Sequence, residues 1–258
     1  MGNLPSNGDT GGTRPVSVTY PLIDRLAAYA PLSEAEQAFM LELLATKRTI
    51  ARHREIIVAG RPYEALLVLC EGVIFRYKIL ADGKRQILGL GLPGDLIGFP
   101  ACLYNGAVNS VSAVTDVIIA PVPFARLFEL FRRFPRLGLA LFWASAQEAA
   151  IYSEHLVNLG RRNAYQRLAH LILEMHVRLR AVGRADASSY CLPLTQDLLA
   201  DALGLTGQHV NRMIRCLREE ELVTIEDRRV VIHNVASLSI IAGFEKQYLM
   251  AEQIPGLN

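Results

Sequence analysis

No uninterrupted apolar run in this sequence reaches the roughly 18 residues a membrane span requires. The most apolar helical stretch, Leu137 to Ile151, is broken by Gln147 and Glu148, so no membrane partner is expected. Cysteine is sparse, and Cys70, Cys102, Cys191 and Cys216 are scattered without a C-x-x-C pair. That spacing argues against a zinc site or disulfide framework and suits small buried thiols in a reducing cytoplasm. An excess of one charge is missing too: 27 Lys and Arg face 25 Asp and Glu, so no global basic balance announces a polyanion. Catalytic constellations are absent as well, with no nucleophile elbow, no metal-ligand spacing and no phosphate-cradling loop. Gly89-Leu90-Gly91 leads into Pro93-Gly94 and not into a helix-opening glycine, so it reads as a sheet turn and no enzyme is expected. The opening MGNLPSNGDTGGTRP has neither the basic start nor the apolar middle of a secretory signal. Its residues cannot bury a core, and 1–20 read as a disordered tail.

What remains is ample for two globular units, since 258 residues are 51% hydrophobic. One helix is expected before the sheet: LSEAEQAFMLELLA opens with Ser33 and has Glu36 three positions on, a capping box. Between Ile56 and Pro121 short β-runs alternate with turn signals. In VIFRYKIL, Phe75, Tyr77 and Ile79 alternate with Arg76 and Lys78, and Asp82-Gly83 supplies a tight turn. The period then changes. RLGLALFWASAQEAAIYSEHLVNL runs free of internal proline, with Ala140, Ala144 and Ala150 along it. A helix so long and apolar needs another helix to cover it, and pairing with its own copy in a homodimer is the economical solution. Asn163 with Gln166 caps the next helix, which carries Leu168, Leu171, Ile172, Met175 and Leu179. Arginines 161, 162, 167, 178, 180 and 184 stand around it against one acid, Glu174, a concentration suited to phosphate, although such a run taken alone is usually a solvated helix face. AVGRADASSY reads as a loop.

The segment TQDLLADALGLTGQHVNRMIRCLREEELV carries the most information. Thr195 can cap a short helix, Gly204 can end it in a left-handed conformation, and Thr206 can cap a second helix running to Arg218. Two helices crossing so closely need a small residue where they touch, and Ala200 stands four positions before Gly204. Leu199, Leu203, Leu205, Val210 and Met213 are spaced to fill the joint, leaving Gly207, Gln208, His209, Asn211, Arg212 and Arg215 facing outward. Gln, His, Asn and Arg can hydrogen-bond base edges in the major groove of double-stranded DNA. Two β-runs around Glu-Asp-Arg-Arg follow, a wing on which Arg228 or Arg229 can meet the phosphate backbone.

A roll with Pro93-Gly94-Asp95 and Ile97-Gly98, a long helix, and a reader with Gly204-Leu205-Thr206 and His209-Val210-Asn211-Arg212 together resemble the Crp/Fnr family of bacterial transcription regulators, from about 22 to 235. The resemblance implies that Arg212 and Gln208 contact bases while Thr206 contacts phosphate. A Glu is usual in the family where Gln208 stands, so a different preferred base is implied. The branch that binds cyclic AMP has a Glu and an Arg-Ser pair where this chain has Phe99 and Asn109-Ser110. Without a cation the desolvated cyclic phosphate lacks its charge-assisted bond, so cyclic AMP is not expected. On an ungapped register Tyr152 and Ser153 fall where that branch packs adenine, and Tyr152 can fill the space. The oxygen-sensing branch carries closely spaced N-terminal cysteines, and none precedes Cys70 here, which disfavours an iron–sulfur cluster. A haem reading needs an axial ligand such as His53 or His155, and a lone histidine is ordinarily structural. No cofactor is expected.

The fold class expected is α+β: an antiparallel β-roll (jelly roll) over 21–135, a dimerisation helix over 136–160, a winged helix-turn-helix over 161–236, and a C-terminal helix and tail over 237–258. The function expected is a cytoplasmic, homodimeric, sequence-specific transcription regulator on an inverted-repeat operator, touching RNA polymerase if it activates. The alternative is a ligand-binding regulatory module acting through a protein partner. The DNA-binding candidates are Thr195, Gln196, Thr206, Gln208, His209, Asn211, Arg212, Arg215 and Arg228. The candidates for a degenerate effector pocket are Gly94, Asp95, Gly98, Phe99, Asn109, Ser110, Tyr152 and Ser153.

Overall fold

A computed structural model describes residues 20–98 and 106–250. The expected tail, except Tyr20, and the pocket candidate Phe99 lie outside the described residues. Two helices, not one, precede the sheet: α1 (Pro21–Tyr29) and α2 (Glu34–Leu43). The Ser33–Glu36 capping box forms in full at α2. The first helix has proline at its start and no side-chain cap, and is held by burial of Leu22, Leu26 and Tyr29. Nothing local advertises it.

Eight strands follow among the described residues: β1 (Arg48–Ile50), β2 (Glu55–Ile57), β3 (Ala65–Glu71), β4 (Ile74–Ile79), β5 (Arg85–Gly91), β6 (Leu96–Ile97), β7 (Ser110–Ala113) and β8 (Val117–Pro123). They form two antiparallel four-stranded sheets, ordered β1-β8-β3-β6 and β2-β7-β4-β5. The space between them is filled by Leu69, Ile74, Ile97, Val117 and Ile119. Gly94 adopts φ +92°, and a Cβ there would sit 3.0 Å from the backbone of Pro21, so the turn before β6 admits no larger residue without moving α1.

An extra helix, α3 (Phe124–Arg133), separates the roll from the long helix α4 (Pro135–Arg161). Phe134 leaves the helical region at φ −131° because a residue before proline is sterically barred from it. Ala140 and Ala144 face inward, onto the core with α1 and β3, not outward as pairing with a copy would want. The outward stripe is Leu139, Phe142, Ala146, Ala149, Ser153, Leu156 and Gly160.

Beyond α4 come α5 (Ala164–Ala181), β9 (Ser189–Cys191), α6 (Gln196–Leu203), α7 (Gly207–Glu219), β10 (Val223–Glu226), β11 (Arg229–Ile232) and α8 (Val235–Ala242). The AVGRADASSY segment is not wholly a loop: Ser189 and Tyr190 belong to β9, which pairs with β11 as a third wing strand. Tyr190 anchors it, buried with its hydroxyl donating to the Ile172 carbonyl 2.9 Å away. A 3-10 turn at Gln247–Leu249 brings the chain back to α4 and α5, where Tyr248 stacks on His170. One apolar core runs from the reader into the roll through Phe75, Tyr77, Ile87 and Leu90.

Cys102 lies outside the described residues; of the other three, Cys70 is buried as expected of an interior thiol, whereas Cys191 is exposed and Cys216 half-buried. The wing strand turns the Cys191 side chain outward, and α7 leaves Cys216 at the edge of its packed face.

Candidate functional site

The helix-turn-helix is built by caps. The Thr195 hydroxyl accepts from Leu198 N–H at 3.2 Å, and the Thr206 hydroxyl accepts from His209 N–H at 3.3 Å. Gly204 ends α6 in the left-handed region at φ 62° and ψ 39°, a conformation that costs a side-chain-bearing residue about 1–2 kcal/mol. Ala200 and Val210 are buried where α6 and α7 cross. Gln208, His209, Asn211, Arg212 and Arg215 stand exposed on the opposite face, with Thr206 at its start and Gly207 half-buried. Thr206 caps with a lone pair, which leaves its O–H free to donate. Thr195 and Gln196 are exposed at the start of α6.

The wing is a two-residue hairpin. Asp227 and Arg228 take φ 46° and 64° in succession, the pattern of a type I′ turn, with Glu226 paired to Arg229. Arg228 is thereby exposed at the tip.

The arginines divide into two groups. Among the described residues Arg212, Arg215 and Arg218 have no carboxylate partner. Three of the six around α5 are instead spent internally. Arg162 pairs with Glu154 at 3.1 Å and donates to the Gly243 carbonyl. Arg167 donates to the carbonyls of Arg162, Leu203 and Leu159 at 2.8, 3.0 and 2.9 Å. Arg178 bridges Glu174 and Asp95 at 3.1 and 2.9 Å. These three are therefore neither a solvated face nor free for phosphate. Arg161, Arg180 and Arg184 remain exposed.

Around the roll, Asp95 accepts from Arg25 at 2.7 Å, from Arg178, and from Leu92 N–H at 2.8 Å. Burial opposes its charge, but Arg178 and Arg25 outweigh it and hold the carboxyl below its ordinary range. Arg76 pairs with Glu148 at 2.9 Å and donates to the Leu96 carbonyl. Tyr152 donates to Glu148 at 3.2 Å, and burial pushes its phenol up to about 12. Beside this ionic packing a space of about 20 Å³ remains, room for a single water.

Asp95 and Tyr152 thus share one small space, Tyr152 and Asn109 line a second, and the other described candidates lie elsewhere. Ser110 Oγ accepts from Ala59 N–H, Gly98 packs on Tyr63, and Ser153 is exposed and donates back to Ala149. Asn109 lines a larger, adjoining cleft that shares Gly89, Leu90 and Tyr152 with the small one. His53 is exposed in a turn, whereas His155 has both ring nitrogens engaged, with the Leu88 carbonyl at 3.0 Å and Glu174 at 2.8 Å. Both partners are acceptors, so the ring is held as an imidazolium. Burial works against that charge, but Glu174 raises the His155 pKa above its ordinary value. In the same pair burial would raise the Glu174 carboxyl, and His155 with Arg178 instead lowers it to about 2. The only sequence sign of Glu174 was its isolation as the one acid among arginines, on a face otherwise apolar.

Two family profiles match the chain. One, described as a cyclic nucleotide-binding domain, covers residues 47–134, and the other, a Crp-like helix-turn-helix domain, covers 166–240. An anaerobic regulatory protein of Pasteurella multocida is 26% identical over 87% of this chain and 82% of its own length. The nitrogen fixation regulation protein FixK of Bradyrhizobium diazoefficiens is 35% identical over 60% of this chain and 64% of its own. The solved structure of FixK2 from Bradyrhizobium japonicum superposes with a TM-score of 0.70 at 27% identity, covering 78% of this chain and 98% of that one. Among the described residues no helix is long and apolar enough to cross a membrane. With that roll, that reader and regulators as relatives along most of its length, the chain belongs to the Crp/Fnr family of transcription regulators and carries a helix-turn-helix DNA-binding domain.

Proposed function

We propose that the chain acts as a homodimer on an inverted-repeat operator, reading bases with Gln208, His209 and Arg212 and gripping phosphate with Thr206, Arg215 and Arg228. The observation that carries this reading is the unpaired polar face of α7, which keeps its arginines free while neighbouring arginines are bound internally. A second supports the dimer. Leu139, Phe142, Ala146, Ala149, Ser153, Leu156 and Gly160 recur at alternating spacings of three and four, the period of a two-stranded coiled coil. Phe142 and Leu156 on that stripe are 63% and 71% exposed, an apolar cost that a second copy of α4 removes. A two-fold axis along α4 sets the two α7 helices into successive major grooves, roughly 34 Å apart. The roll acts as the sensor of an effector other than cyclic AMP, since Asn109 supplies no charge for a cyclic phosphate.

The test is a gel-shift survey of promoter fragments at moderate salt, with sedimentation of the free protein and of its Leu156→Glu variant. The reading expects retardation of inverted-repeat sites above the random-DNA background and a dimer that the substitution dissociates. Retardation no stronger than on random DNA, or a wild-type monomer at micromolar concentration, overturns it.

A further inference from the structure

The ionic packing of Arg76, Asp95 and Tyr152 leaves little room under the roll, but a cleft of about 280 Å³ opens beside it and shares Gly89, Leu90 and Tyr152 with it. Its walls come from four elements: Leu88 of β5, Leu159 of α4, Leu171 of α5, and Ala202 with Leu203 of α6. It therefore lies where the roll, the long helix and the reader meet, and Leu156 of the outward stripe of α4 borders it. The size is near the lower end of small-molecule sites, roughly that of a few linked rings.

The polar groups around this cleft define what it can hold. His155 and Glu174 satisfy each other, and Arg167 is met by the carbonyl ends of α4 and α6. Among the described residues no unneutralised cation lines the space. One group is left over: Oδ1 of Asn109, which lines the cleft, is buried and has no hydrogen-bond partner. A buried acceptor without a donor is costly, and a ligand N–H or O–H removes that cost.

We propose that this cleft is a binding site for a neutral, largely apolar small molecule that donates one hydrogen bond to Asn109. The assignment deepens the reading of the chain as an effector-responsive regulator and rests on it. Occupancy bears directly on the reader. Beside the cleft, Asp201 of α6 binds Arg85 of β5 at 2.7 Å, and Gln86 donates to the Asp201 carbonyl at 2.9 Å. A ligand wedged against Ala202 and Leu203 pushes on the same joint.

The probe is N-phenyl-1-naphthylamine, a neutral two-part aromatic amine with one N–H that fluoresces on leaving water. Titrated into the full-length protein, it should bind saturably, one per chain. Its N-methyl derivative, which cannot donate, should bind about fivefold more weakly, the worth of one hydrogen bond. Its 8-sulfonate should bind at least about tenfold more weakly, because a desolvated anion meets an acceptor. Ala202→Phe should abolish binding, and Asn109→Leu should erase the difference between the amine and its N-methyl form. Circular dichroism establishes that each variant is folded; if Ala202→Phe is not, Leu171→Phe fills the same space. Equal binding of amine and N-methyl derivative to wild type, or undiminished binding in a folded filled variant, overturns the assignment. Anisotropy with promoter DNA on the same preparations separates the two readings. DNA binding without amine binding sinks the cleft and keeps the regulator; amine binding without DNA binding does the reverse.

Discussion

Nε2 of His155, on α4, donates to Oε2 of Glu174, on α5, across 2.8 Å. Glu174 is 1% exposed and also holds Arg178, which reaches Asp95 of the roll. Four charged side chains thus tie the long helix, the reader and the roll together. Removing one member leaves its partners buried and unpaired. Glu174→Gln should cost about 3–5 kcal/mol in urea unfolding. A loss below about 1 kcal/mol would mean that the network relaxes freely and does not hold these parts in register.

The first part of the acid limb, above the range where the depressed carboxyls of Asp95 and Glu174 take up protons, belongs to a different histidine. His170 is fully buried, takes an N–H from Asn158 on Nδ1 at 3.0 Å, and has Nε2 3.4 Å from Glu154 without hydrogen-bond alignment. Burial depresses its pKa from 6.5 to about 4. Between those values the unfolded chain binds the extra proton, so stability is full above pH 6.5 and falls as the pH drops toward 4, by up to about 3 kcal/mol. His155 works in the opposite sense. Its raised pKa stabilises fully below 6.5, and that contribution is lost as the pH climbs through the raised value. His170→Phe should flatten the fall in Tm between pH 6.5 and 4.5; an unchanged slope would assign the acid limb elsewhere.

On DNA, Arg212 and Arg228 should behave differently. Arg212→Ala should cost about 1–3 kcal/mol on the specific site and relax one base position. Arg228→Ala, at the wing tip, should weaken specific and random DNA alike and lower the salt slope by about one. Fluorescence anisotropy over a salt series distinguishes them. Equal losses on both DNAs for Arg212→Ala would remove it from the base-reading set.

Gly94→Ala should destabilise by at least about 2 kcal/mol, since the φ of +92° and the Pro21 backbone at 3.0 Å both oppose a Cβ. Thermal unfolding measures it. A shift of only a degree or two would show that α1 moves aside cheaply.

The parts legible in sequence are those whose cause is local. Thr195, Gly204 and Thr206 fix α6 and α7 through contacts within four residues, and Asn163 with Gln166 does the same for α5. The exposed face of α7 follows from helical period alone. The parts that escaped depend on distant partners. Arg178 meets Asp95 across 83 positions, so a side chain counted with phosphate-seeking arginines is an internal strut. Strand β9 lies in a Ser- and Asp-rich stretch and exists because Tyr190 finds Ile172 and the β11 backbone. The cleft is the most distributed feature of all, with walls drawn from β5 to α6.

Arg167 stands at the joint between α4 and α5, with its guanidinium laid across the carbonyls of Leu159, Arg162 and Leu203. One planar group therefore serves three backbone oxygens on two helix ends and a connecting turn. Turning the reader about Arg162–Asn163 cannot loosen those bonds one at a time, because a rigid fork that leaves one acceptor tilts away from the others. The joint acts as a detent: losing one of these bonds weakens the other two, so the reader leaves this position by a discrete step and not by gradual drift.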